Sequence, residues 1–190
     1  MRLFLTIFVF IFSLQSSIKA DDIKDLEIEG MSIGDSLLDY FSKEEIKNSK
    51  NKFNYPKSNK FILWVPNNRS YENYDAVQFH FKTNDASYII QSIGGHINYY
   101  EKIEKCYPKK KDIFDSLKEI FPNTEAKSQI VKHQLDNKTI VDQTVFNLDQ
   151  GLITLECYDW SKKLEDKYGD KLSLGISTSE FMNWITNEAY

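Results

Sequence analysis

Arginine is almost missing from this chain. Of 24 basic residues in 190, only Arg2 and Arg69 are arginines. Arginine grips phosphate and carboxylate with a planar two-pronged fork, so phosphoryl-recognition functions lose weight. Glycine (7) and proline (4) are also scarce, which excludes collagen-like and low-complexity chains. There is no basic block, and the formal net charge is −4. Nucleic-acid binders carry a concentrated positive footprint, so no nucleic acid is expected as a partner. Gly-x-Ser-x-Gly, the phosphate-cradling loop and the dinucleotide fingerprint are all absent, and no cofactor is expected.

What is present describes a globular protein: 41% hydrophobic, 14% aromatic and 27% charged residues. Met1-Arg2 followed by the apolar run Leu3 to Leu14 and by Gln15 to Ala20 reads as a secretory signal peptide cut after Ala20. The run is shorter than the ~20 apolar residues that cross a bilayer, so no membrane span is expected after cleavage. Losing Arg2 and Lys19 leaves 22 basic against 28 acidic residues, a net charge of −6. The organisation expected is therefore a signal peptide over 1–20 and a single domain over 21–190, periplasmic or secreted. A domain of that length buries roughly 70% of its unfolded surface, enough for a core without metal.

Ile33, Leu37, Leu38 and Phe41 recur at helical spacing behind Ser32-Ile33-Gly34-Asp35, and Ser42-Lys43-Glu44-Glu45 is a capping box that starts a second short helix. Residues 48–59 read as a loop. Strands are expected over Phe61 to Val65, Ala76 to Lys82, Tyr88 to Ile93 and His96 to Tyr100, with Gly94-Gly95 making a bulge or bend between the last two. Lys105 to Phe121 reads as a helix stopped by Pro122, and 129–158 as a three-stranded meander turning at Asp136-Asn137 and Asp149-Gln150-Gly151. A charged linker over 161–171 leads to a strand at Leu172 to Ile176 and a helix from Glu180 to Glu188 capped by Ser177. Segregated strands and helices imply an α+β fold: a curved antiparallel sheet of about six or seven strands with helices packed on one face. Two degenerate αβββ units are a further option.

Cys106 and Cys157 are the only cysteines. In an oxidising compartment a lone pair bridges, and closing a loop of about 50 residues would stabilise the fold by roughly 4 kcal/mol. Free buried thiols and a catalytic cysteine are the alternatives, and no histidine stands at a family-type spacing to serve the latter. Of the three histidines, His80 shares a polar strand face with Gln78 and Lys82, whereas His133 alternates with Val131 and Leu135 on an apolar one. They are expected to point to opposite environments, and no metal site is expected. Asp35, Asp39, Asp142, Glu156 and Asp159 would make a hydrolytic pair only if folding brought two within about 5–10 Å. Tyr71, Tyr74, Tyr88, Tyr99, Tyr100, Tyr107, Tyr158, Trp64 and Trp160 are read either as a flat binding platform or as sheet-filling aromatics.

The stretch Ile28 to Ser42, the segment Cys157-Tyr158-Asp159-Trp160-Ser161 and the ending Leu172 to Tyr190 resemble a family of exported proteins from Pelagibacter-type marine alphaproteobacteria. The resemblance implies bacterial origin, export and a single domain, and it carries over no catalytic residue. A looser likeness is to the β-lactamase-inhibitor-protein and outer-membrane-assembly lipoprotein fold, whose helical hairpin also opens with a Gly-Met-Ser/Thr step. This chain lacks that fold's lipid-attachment cysteine and Gly-x-Pro turn.

The function these readings favour is a soluble exported binding or interaction domain whose partner is a protein, peptide or glycan, with oligomeric state left open. Its candidate surface is Gln78, His80, Lys82, Tyr99, Tyr100 and Trp160, and no catalytic residue is assigned. A small hydrolase using carboxylates or His80, and a structural envelope-maintenance protein, are the alternatives.

Overall fold

Val77, Phe79 and Phe81 alternate with Gln78, His80 and Lys82, which gives one strand two unlike faces, and pairing carries that division across the sheet. A computed structural model describes residues 22–67, 69–133 and 136–190. The expected signal peptide, Asn68 and Leu135 lie outside them. The elements are α1 (Lys43–Asn48), β1 (Lys52–Phe53), β2 (Phe61–Trp64), β3 (Ala76–Lys82), β4 (Ser92–Asn98), α2 (Cys106–Ile120), β5 (Ala126–His133), β6 (Asp136–Leu148), β7 (Gly151–Asp159), α3 (Lys162–Tyr168), β8 (Lys171–Thr178) and α4 (Ser179–Asn187). The strands form one eight-stranded antiparallel sheet in the order β1-β2-β3-β4-β8-β7-β6-β5. This is the α+β fold with an antiparallel sheet that the sequence implies.

The order is symmetric about the β4–β8 seam. Each half is a helix followed by four strands, one half ending in β4 and the other in β8. Gly94 pairs with Gly175, Ser92 with Ser177 and His96 with Ser173. An axis through the glycine pair superposes Ser92-Ile93-Gly94 on Ser173-Leu174-Gly175. It likewise superposes Val77, Phe79 and His80 on Ile153, Leu155 and Glu156, because Gln78 pairs with Gly94 as Thr154 pairs with Gly175. β1 and β5 are the outer strands of the two units.

On one face, Trp64, Val77, Phe79, Phe81, Ile93, Phe146, Ile153, Leu155, Leu174 and Ile176 form the main core with the N-terminal segment and α2. Phe41 stands edge-on to Trp64 with ring centroids 4.8 Å apart, and the Arg69 guanidinium sits 4.4 Å from the Phe41 ring. Lys110 of α2 is buried and donates to both the carboxylate (2.7 Å) and the carbonyl (2.9 Å) of Asp142, so its charge is compensated. α4 lies on the other face, where Phe181 and Trp184 pack on Phe61 of β2.

Several local expectations change. Ile33 to Phe41 is not a helix: Gly34 takes a φ of +95°, and the chain runs alongside residues 88–90. Gly34 N–H donates to the Ile90 carbonyl (3.0 Å), and Leu37 N–H donates to that of Tyr88 (3.1 Å). Only Leu37–Asp39 makes a single 3-10 turn. The apolar spacing survives in this extended form, because Ile33, Leu37 and Phe41 are buried and Leu38 is exposed. Ser42 caps α1, its Oγ accepting from Glu45 N–H, which is one half of the box read from the sequence. β4 runs straight through Gly94-Gly95 with no bend. Gly95 is needed instead because a Cβ there would come within 2.5 Å of the Tyr74 ring. Asp136 and Asn137 belong to β6, the 161–171 linker contains α3, and α4 is capped by Thr178, whose Oγ1 accepts from Phe181 N–H, in place of Ser177.

Cys106 and Cys157 form a disulfide with Cα atoms 6.0 Å apart, fastening the start of α2 to the centre of β7. Intact-mass measurement with and without reduction should show no alkylatable thiol in the native chain, and reduction should lower stability by roughly 4 kcal/mol on the loop-entropy account. Leu37→Ala should cost about 2–5 kcal/mol in a denaturant titration. Asp39→Ala, at an exposed position, should change stability by less than about 0.5 kcal/mol.

Candidate ligand-binding groove

The second face of the sheet is polar at its centre and aromatic at both ends. Register places four cross-strand rows there. His80, Ser92 and Ser177 form the first, and Gln78, Gly94, Gly175 and Thr154 the second. His96, Ser173, Glu156, Gln143 and Gln129 form the third, and Lys171, Tyr158, Val141 and Val131 the fourth. All of these but Gln129, Val141 and Val131 line a cavity of about 560 Å³, within the roughly 300–1,000 Å³ usual for small-molecule sites. Tyr55, Phe181, Met182, Ile185 and Tyr190 wall one end, and His133, Trp160 and Tyr168 the other.

The middle of the floor carries no side chain, because Gly94 and Gly175 face each other there. A Cβ on Gly175 would approach Thr154 Oγ1 to 2.7 Å, and one on Gly94 would approach the Gln78 side chain to 3.3 Å. Around this bare patch the polar groups are partly paired with one another. Ser177 Oγ donates to Ser92 Oγ (2.9 Å). Gln129 donates to Gln143 (2.8 Å), Gln143 to Glu156, and Tyr158 OH to the other Glu156 oxygen (2.7 Å). Tyr55 OH lies 2.8 Å from His80 Nε2. The Nδ1 atoms of His80 and His96 and the Nε1–H of Trp160 are buried with no partner. Such groups cost free energy unless something supplies the missing hydrogen bond.

Burial sets the charge states. His80 and His96 are lowered to about 3 by desolvation, with Lys171 adding to the effect at His96. Desolvation also lowers Lys171, against the pull of Glu156, and raises Tyr158 well above the usual phenol range. The floor is thus neutral apart from Lys171 and Glu156. Trp160 lies between two rings, 4.6 Å from Tyr168 and 5.8 Å from Tyr158 between centroids, with interplanar angles of 27° and 15°.

Of the surface named from the sequence, Gln78, His80 and Trp160 do line this groove. His80 is not at the surface, however: it is 5% exposed, covered by Tyr55 and by Phe181, whose ring centroid is 4.4 Å away. Lys82 is occupied by Glu180 at 2.8 Å. Tyr99 and Tyr100 border a separate hollow with residues 165–169. The expected opposition of His80 and His133 is overturned, since both line the groove. Alternation within β5 does put His133 with Val131, but parity inside one strand does not say which face a strand of the other half presents. Trp64 is part of the main core, with Tyr71, Tyr74 and Tyr88 packed against it, so they make no platform.

Asp142 is spent on Lys110, and Asp35 accepts from Ser32 N–H (2.9 Å) and Tyr40 OH (2.7 Å). Glu156 is the one carboxylate side chain among the described residues lining the groove. Residues missed from sequence include Ser92, His96, Lys171, Ser173 and Gly175, and the echo of Ser92-Ile93-Gly94 in Ser173-Leu174-Gly175 is the signal that could have found Ser92, Ser173 and Gly175; Glu156 is legible there only as one of several candidate carboxylates. Comparison with protein-family models, with curated proteins and with solved structures found no match to this chain.

The neutral histidines tie stability to pH. The unfolded chain takes up these protons near pH 6.5, while the folded His80 and His96 take them up only near 3. Between those values the unfolded state holds more protons, so this contribution is complete above about pH 6.5 and is lost as pH falls towards 3. Imidazole NMR signals of His80 and His96 should keep their neutral shifts at about pH 5. Protonation of either near pH 6 in the folded protein would contradict the burial.

Proposed function

We propose that this chain is an exported binding domain, periplasmic or secreted, that takes a small polar ligand into the groove across the β4–β8 seam. The observation that carries this reading is the pair of buried, unpartnered histidine Nδ1 atoms in a cavity of about 560 Å³. A preformed pocket with a few convergent polar groups is the arrangement by which proteins orient ligands. The disulfide suits an oxidising compartment, and no helix of the described residues is long and apolar enough to cross a membrane. The resemblance to exported marine bacterial proteins supports the same location.

A hydrolase reading finds less support. A two-carboxylate mechanism needs a second acid beside Glu156. His80 spends its Nε2 on Tyr55, and Ser177 is bonded to Ser92 in place of a base. Binding therefore needs no group that the groove lacks.

The check is a fragment titration followed by amide NMR on the full purified chain. Shift changes should cluster at Gly94, Ser173 and Gly175 and leave Leu117, on the opposite side of the sheet, unmoved. Changes scattered over both faces, or none with a chemically diverse library, would count against a binding groove.

A further inference from the structure

We infer that the groove's ligand is an uncharged saccharide longer than one ring, a conclusion that rests on the binding reading above. Three properties of the floor select the chemistry. The first is charge. Among the described residues Lys171 is the only cationic side chain lining the groove and Glu156 lies in the adjacent row, so a phosphate or carboxylate would have to desolvate beside a carboxylate with no arginine to receive it. A free cation meets the converse problem at Lys171. The second is hydrogen bonding. A neutral imidazole nitrogen donates or accepts according to tautomer, and a sugar hydroxyl does both. His96 Nδ1 and the Trp160 indole N–H border the groove without a partner and are groups that hydroxyls can satisfy, whereas a hydrocarbon ligand would leave both unpaired; His80 is covered by Tyr55 and Phe181.

The third property is shape. The Gly94–Gly175 pair carries no side chain of its own, and Gln78 and Thr154 lean in on it from the two flanks, making a shallow polar strip between the Ser92–Ser177 pair and the His96–Ser173 pair. A pyranose-like ring with an apolar face and an equatorial belt of hydroxyls fits such a slot, its face on the glycines and its belt against the side chains. From Ser177 to Lys171 the strand advances six residues, roughly 20 Å at the rise of an antiparallel strand, and aromatic rings wall both ends. Stacking surfaces at each end of a polar strip suit two or more linked rings. An extended peptide is a poorer fit, because strands recognise peptides through free edges and both strands under the groove's centre, β4 and β8, are paired on both sides.

The experiment is an amide and indole NMR titration of the purified chain with maltose, cellobiose and diacetylchitobiose, alongside inorganic phosphate and trialanine. At least one disaccharide should saturably shift Gly94, Gly175 and the Trp160 indole N–H, and phosphate and trialanine should not. Gly94→Val should weaken that disaccharide at least tenfold at unchanged melting temperature. Should Gly94→Val fail to fold, His96→Phe, which removes one unpartnered nitrogen, should give the same loss. If phosphate or trialanine moves the groove resonances and no disaccharide does, the saccharide inference falls and the binding groove stands. If no probe moves them and the fragment library is also silent, both fall. A disaccharide that binds with equal affinity to wild type and to a folded groove variant would place it elsewhere and overturn the inference.

Discussion

The antiparallel pairing of β4 with β8 joins two four-stranded halves into one sheet, and both faces of the molecule depend on it. On the core side it brings Ile93 and Leu174 into one apolar layer with Phe79 and Leu155. On the other side the same register sets Gly94 against Gly175 and leaves the floor of the groove bare. A one-residue slip of β8 against β4 would turn Leu174 into the groove and Gly175 into the core. On the core side of β4 the Tyr74 ring occupies the space that only Gly95 leaves open.

The polar face is stabilised by a different kind of contact from the core. Its groups are satisfied mostly by one another, through the Gln129–Gln143–Glu156–Tyr158 chain and the Ser92–Ser177 pair. Low local dielectric strengthens such bonds and makes each missing partner more costly. Folding has thus placed His80, His96 and Trp160 where water is largely excluded while leaving an atom of each unpaired. Natural structures accept buried orphan polar groups sparingly; among the described residues three lie around this one groove, while Trp64 Nε1 and Tyr71 OH are the other two, on the core side.

The sequence was most legible where a single period acts. β3 was read to the residue because Val77 to Lys82 alternate without interruption, and the meander of β5 to β7 was read because its strands are separated by turn residues. The disulfide followed from counting cysteines in a chain whose start reads as a signal peptide. Local cues misled at Ile33 to Phe41, where helical spacing coexists with a glycine at φ +95° that no helix tolerates. α3 was hidden by its charge, since no residue of it is fully buried and no apolar stripe announces it. The groove was hidden for a topological reason. Strand parity orders side chains within β3 or β5, but which faces coincide depends on β8 entering between β4 and β7, and nothing in the local pattern encodes that insertion.

That insertion also has a kinetic side. β1 to β4 and β5 to β7 can each pair through local connections, but the last strand must enter the middle of the finished sheet, where Ser177 meets a partner 85 residues away. Non-local pairings come late because loop closure costs entropy before the contacts reward it. Until β8 arrives, β4 and β7 present open edges beside apolar side chains, the condition under which partly folded chains associate. The groove does not exist in that intermediate. A molecule bound there would recognise only the completed sheet and draw the open species towards it.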